Sequence, residues 1–256
     1  SCALSPQRNS SSSEAFRQGK TIAMLVNTML MESLRSSMEE ALLTLFSLEI
    51  DYYFCFDLSW IRFFQKHHQV SRMIYAPGTL MTNHFDIRFA EQLELGGVIL
   101  GRELRLDEIQ AMASTKHRLL LGFDGYGYIE LFTSKRPLLR AYFESMGTTH
   151  NSHFRDLGYR LVEPLRPDQE LPILEDSFGT TIFRPQPQVS FSVWNQIDTQ
   201  IDFFHLSRMF MEDLPYIESL QAHRFPKKRD LFLKKYPHHD SGFLFSSVGL
   251  IKEKGH

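Results

Sequence analysis

The stretch Gly97-Val-Ile-Leu-Gly-Arg-Glu103 decides the fold. Its apolar core is too short for a helix and does not alternate with polar residues. It therefore reads as a strand buried on both faces. Two charged residues, Arg102 and Glu103, follow it at once. Similar runs lie on either side, at residues 21–26, 51–56, 72–75 and 118–121. Between them stand segments of helical spacing. Residues 31–48 carry Leu34, Met38, Leu42 and Leu45 three or four apart, and residues 58–66, 86–95 and 106–112 follow the same logic. Asp107 and Glu108 suit the first turn of the last of these.

Buried runs alternating with amphipathic helices predict parallel strands joined by crossover helices. An open doubly wound sheet and a closed barrel both fit. No Gly-x-Gly-x-x-Gly follows any strand, which weakens the dinucleotide-binding version. Polar residues follow the strands at 27, 57, 79, 102 and about 126. A barrel explains this pattern, because the C-terminal strand ends build its active site. The expected fold is α/β, a TIM-like (β/α) barrel forming a single domain over residues 1–256.

The alternation breaks after the sixth strand position. Residues 159–163, 171–175 and 180–183 are strand-like, and Asp176-Ser-Phe-Gly179 supplies turn chemistry. This predicts a small β-hairpin insertion over residues 159–184. Strand-like runs resume at 189–193 and 201–205, helical material follows at 212–222, and residues 242–251 are apolar enough for a final strand. Residues 224–256 are read as a basic helix and C-terminal tail.

Composition sets outer bounds. The chain has 256 residues, 43% of them hydrophobic, and a formal charge of −2, so it can build a core and is not basic overall. Nucleic-acid binding would need a local patch. The densest candidate is Arg224 with Lys227, Lys228, Arg229, Lys234 and Lys235, where Phe225, Phe232 and Tyr236 are interleaved. It reads as a solvated helix face or as an RNA-phosphate contact. No run of 18 apolar residues exists and no leader is visible, so a cytoplasmic protein without a membrane partner is expected. The first residue is Ser1, and residues 10–13 are all serine. Counting back from the 97–103 stretch as the fifth strand makes 21–26 the second, so the barrel is expected to lack its first strand.

Five ordered pieces carry a resemblance. They are Tyr75-Ala-Pro-Gly-Thr-Leu-Met-Thr-Asn83, Gly97-Val-Ile-Leu-Gly-Arg-Glu-Leu104 with Asp107-Glu-Ile109, Gly127-Tyr-Ile-Glu-Leu-Phe-Thr-Ser-Lys-Arg136, Glu175-Asp-Ser-Phe-Gly-Thr-Thr-Ile-Phe183 and Ser241-Gly-Phe-Leu-Phe245. Together, from about Lys20 to the end, they resemble family 32 of the unclassified, collagenase-like peptidases. Despite the name, the resemblance implies hydroxylation proteins rather than proteases. This chain is most similar to a cysteine-poor bacterial branch tied to 5-hydroxyuridine formation at the tRNA wobble position. That reaction is linked to prephenate, and members act as paralogue pairs.

The chain departs from the family in two places. Many members hold an iron–sulfur cluster with Cys after the sixth strand, where this chain reads Asp124-Gly-Tyr-Gly-Tyr-Ile-Glu-Leu-Phe132. A cluster needs four thiolates, and Cys2 and Cys55 cannot supply them. No cofactor of its own is therefore expected, and a Cys-containing paralogue is the expected partner. The family's His before Gly-Tyr corresponds to Tyr126, which lacks a base near neutral pH. Both departures bear against independent catalysis.

Candidate site residues follow. Arg102 offers a planar fork to a carboxylate or phosphate, or else pairs with Glu103 at the rim. Ser134 and Arg136 stand at a loop-to-helix junction, where backbone N–H groups favour anions. Arg102 and Arg136 together would suit the two carboxylates of prephenate. Asn27, Asp57, Thr79 and Asn83 end strands and either line the mouth or cap helices. Glu175 and Asp176 are paired carboxylates or turn formers. His67-His68 and His238-His239 lack metalloprotease spacing, no Gly-x-Ser-x-Gly exists, and Cys55 lies in an apolar strand. Three functions are therefore carried: tRNA wobble-uridine hydroxylation beside a paralogue, a peptidase, and a non-catalytic scaffold subunit.

Overall fold

The computed structural model describes residues 21–26, 30–115, 117–148, 158–190, 193–197, 199–207, 209, 234 and 239–246. Its principal sheet runs β1 (Ala23–Val26), β2 (Tyr52–Cys55), β3 (Met73–Tyr75), β4 (Gly97–Ile99) and β5 (Leu120–Gly127) in spatial order, each parallel to the next. Between them lie α1 (Arg35–Phe46), α2 (Ser59–Lys66), α3 (His84–Gln92) and α4 (Leu106–Ala113). Strand β11 (Phe203–Leu206) returns late in the chain to pair parallel with β5, and the short β10 (Gln188–Val189) pairs antiparallel with its end.

Six parallel strands thus form a sheet with helices on its outer side. The outer layer is the larger core. Trp60, Ile61 and Phe64 give α2 a buried stripe at helical spacing, and Ile87 with Ala90 does the same for α3. Phe46, Tyr53 and Phe64 pack edge to face, with ring centroids 5.0–5.4 Å apart. The inner layer is a smaller cluster of Phe54, Ile74, Ala76 and Ile99, with Tyr52, Phe56 and Phe203 against it.

One inner contact measures the curl. The Phe54 ring on β2 lies 5.7 Å from that of Phe203 on β11. In a flat sheet those strands would be about 19 Å apart, at roughly 4.8 Å per strand. The sheet is therefore strongly curled. It is a half-barrel rather than the expected TIM-like barrel: among the described residues β1 pairs only with β2, and its inward-facing Leu25 is 53% exposed.

The insertion is a sheet of its own. β6 (Glu130–Ser134), β7 (Arg160–Glu163), β8 (Arg166–Asp176) and β9 (Gly179–Phe183) pair antiparallel in the order β6-β9-β8-β7, and α5 (Leu138–Ser145) follows β6. The segment at 159–184 supplies three of these strands, and β6 joins from before it.

Two strand expectations fail locally. Of the stretch 189–193, Val189 ends β10, Ser190 and Val193 are not strand, and residues 191–192 lie outside the described residues. The Val193 N–H donates to Ser190 O at 3.0 Å ahead of α6 (Trp194–Ile197). The Ser190 hydroxyl donates to Gly125 O at 2.9 Å and accepts the Trp194 indole N–H at 2.7 Å. Residues 242–245 turn instead of extending. Gly242 has φ +61, and its N–H donates to Asp240 Oδ1 at 2.8 Å. Residues 247–251 of that apolar tail, and the helix expected at 212–222, lie outside the described residues.

Candidate functional site

The C-terminal ends of β4, β5 and β11 meet at one cluster of charge. Strand alternation points Gly122 and Asp124 of β5, and Phe203 and His205 of β11, into the half-barrel. Phe203 pairs with Gly122 in register, and His205 with Asp124. Gly122 makes room for the Phe203 ring, since a Cβ would stand 2.2 Å from it. His205 Nδ1 lies 2.7 Å from Asp124 Oδ1. Below, the His205 ring stacks on Phe54 at 5.9 Å with a 29° tilt.

Arg102 closes the cluster. Its Nε donates to Asp124 Oδ2 at 3.1 Å, and its Nη1 is 3.5 Å from Glu130 Oε2. Arg102 and Asp124 side chains are 13% and 17% exposed, whereas Glu130 is 47% exposed. The loop after β3 is built around this guanidinium. Gly78 has φ +82, and the Arg102 N–H donates to Gly78 O at 3.0 Å. A Cβ on Gly78 would touch Arg102 Cζ at 3.7 Å.

Burial alone pushes the Asp124 carboxyl up. The hydrogen bond from His205 and the charges of Arg102 and His205 outweigh it and hold the group below the ordinary carboxylate range. The carboxylate is also fixed through its backbone, because Gln188 Nε2 donates to Asp124 O at 3.2 Å. The result is a fixed anion that orients a guanidinium and an imidazole, above a floor of Phe54, Phe56 and Phe203.

Of the residues singled out from sequence, Arg102 lies in this cluster. Asp57 accepts Ser59 N–H and O–H at 2.9 and 2.6 Å and Leu30 N–H at 3.2 Å, so it ties two loops together. Burial raises its carboxyl, but these bonds and the charge of Lys135 bring it below the usual range. Asn83 caps α3 in a reciprocal box with Asp86. Thr79 and Glu103 are exposed. Tyr126 is buried on β5, two residues beyond Asp124. Among the RNA candidates Lys234 is exposed and helical. Asn27, Lys227, Lys228, Arg229 and Lys235 lie outside the described residues.

The junction at Ser134 and Arg136 is differently engaged. Arg136 is exposed, and its N–H donates to Ser134 Oγ at 3.2 Å. The start of α5 already holds an anion. Glu175, only 1% exposed, accepts Leu139 N–H at 2.7 Å, Arg140 N–H at 3.3 Å and Thr180 O–H at 2.8 Å. Asp176 forms the turn, accepting Phe178 N–H at 2.7 Å. Arg136 lies just past the end of β6, which closes with Ser134.

Asp124, His205 and Glu130 were not among the sequence candidates. The available signal was a titratable residue on the inner face of an otherwise apolar strand, which both Asp124 and His205 satisfy. Among the described residues no group of three or more His, Cys, Asp or Glu side chains could hold a metal ion. Cys55 packs in the outer layer, where burial pushes its thiol far up.

No curated protein and no solved structure matches the chain. The sequence model of peptidase family U32 matches residues 9–197, most of the chain, and four of the five motif pieces, those up to Phe183, fall inside it. The chain belongs to peptidase family U32.

Proposed function

We propose that this chain takes part in tRNA wobble-uridine hydroxylation, giving 5-hydroxyuridine, and binds an acidic co-substrate of the prephenate class at Arg102. It works beside a Cys-containing paralogue that brings the redox centre. The observation that carries the reading is the Arg102–Asp124–His205 cluster over an aromatic floor. A guanidinium binds a carboxylate by its planar fork. Phe54, Phe56 and Phe203 offer apolar area to a ring. With Nδ1 held by Asp124, His205 presents Nε2 for proton transfer.

Proteolysis has less behind it. A Ser or Cys peptidase needs a nucleophile bonded to its base. Among the described residues no hydroxyl or thiol hydrogen-bonds to His205, and Cys55 is buried in the outer layer.

Mass spectrometry of tRNA from a deletion strain tests the proposal. We expect loss of 5-hydroxyuridine-derived nucleosides, restored by the wild-type chain and not by Arg102→Gln. Unchanged nucleosides in the deletion strain would overturn it.

A further inference from the structure

Arg102 holds two carboxylates of unequal standing. Asp124 is enclosed with it inside the half-barrel. Glu130 reaches it at 3.5 Å from a 47% exposed position on β6, a strand of the insertion sheet. The insertion carries a device that aims this side chain. The pairing of β6 with β9 shifts register between Glu130 and Phe132, so Leu131 is an extra residue in the strand. Leu131 and Phe132 are both half-exposed, at 51% and 50%. A bulge of this kind turns the side chains beside it away from regular alternation.

Resting on the reading of Arg102 as an acid-binding group, we propose that Glu130 is a built-in occupant of the ligand's carboxylate position. It is the residue that makes the site select acids. A ring compound without a negative charge leaves the Arg102–Glu130 pair intact and is excluded from the fork. A ring compound with a carboxylate exchanges for Glu130 charge for charge, so Arg102 is never left unpaired. Asp124 cannot play this part, because it is enclosed and also holds His205. The exposed, longer pair is the weaker of the two and the one a ligand displaces.

Calorimetric titration with phenylpyruvate, a ring bearing one carboxylate, tests this on the full chain. Glu130→Gln removes the competing charge and is expected to tighten binding about fivefold, the equivalent of one exposed ion pair. Glu163→Gln removes the same charge three strands away in the insertion sheet and is expected to leave the affinity unchanged. Arg102→Gln is expected to abolish binding in either background. If wild-type binding depends on Arg102 but Glu130→Gln fails to tighten it, or Glu163→Gln tightens it equally, the role of Glu130 is overturned and the acid-binding reading stands. If phenylpyruvate fails to bind, or binds regardless of Arg102, the acid-binding reading falls and takes this role with it.

Discussion

Asp124 and His205 face each other in register across the β5–β11 pair, joined by a 2.7 Å contact although they are 81 positions apart. Asp124 also holds Arg102. One carboxylate therefore sets the direction of both groups offered to a ligand.

Its ionisation makes the first prediction. Asp124→Asn should cost about 2–3 kcal/mol at neutral pH, the loss of charge-assisted hydrogen bonds. The native carboxyl titrates lower than in the unfolded chain, whose value is about 3.9. Its contribution is thus complete above that value and lost as pH falls through the native one. Urea unfolding of wild type and variant should show a gap at pH 7 that narrows below about pH 4. A gap independent of pH would contradict this.

The aromatic floor depends on Gly122. Gly122→Ala places a Cβ where the Phe203 ring now lies, so the ring must swing away. We expect about 1–3 kcal/mol of overpacking cost. Phenylpyruvate binding should weaken more than it does in Gly158→Ala, whose Cβ would meet nothing within 4 Å. Equal binding in the two variants would remove Phe203 from the floor.

Glu175 links the insertion sheet to α5. Glu175→Ala leaves the N–H groups of Leu139 and Arg140 without their acceptor and should cost about 2 kcal/mol. Glu175→Gln keeps one acceptor and should cost less. Hydrogen exchange at Leu139 and Arg140 amides should rise in both, in that order. Protection at these amides equal to wild type would show that another group caps the helix.

Two residues offer stabilisation. His68 and Glu94 end α2 and α3 with φ of 55° and 59°, where a side chain is strained. They line a groove of about 760 Å³ with Arg62 and Arg118. His68→Gly and Glu94→Gly should each stabilise by about 0.5–1 kcal/mol. For a chain of this size that raises Tm by about 2–4 °C per kcal/mol. A lowered Tm would mean these side chains contribute more in the groove than their backbone costs.

The parallel strands were legible because burial on both faces leaves continuous apolar runs, as at Gly97–Ile99. Arg102 was legible because it follows such a run directly. Asp124 was not, because β5 extends to Gly127 whereas the apolar run in the sequence ends with Leu121. His205 lacked its meaning until β11 was placed beside β5, a pairing that no local pattern encodes. Asn83 and Asp57 show the converse. A polar residue after a strand is equally what a helix start demands, and only the hydrogen bonds separate the two roles. The extent of the insertion was hidden too, because β6 joins it from ahead of α5.

The insertion sheet also bears on how the chain reaches its native state. Bringing His205 to Asp124 closes a loop whose entropy cost grows with the logarithm of its length. Pairing Glu130 with Phe183 in β6–β9 cuts that excursion to roughly a third, which lowers the cost by about 1 kcal/mol. Antiparallel β7–β8 and β8–β9 pairs are local in sequence, so closing them costs little chain entropy. The sheet that supplies Glu130 is therefore also a splint for folding: once it has zipped, β11 finds β5 across a short gap instead of a long one.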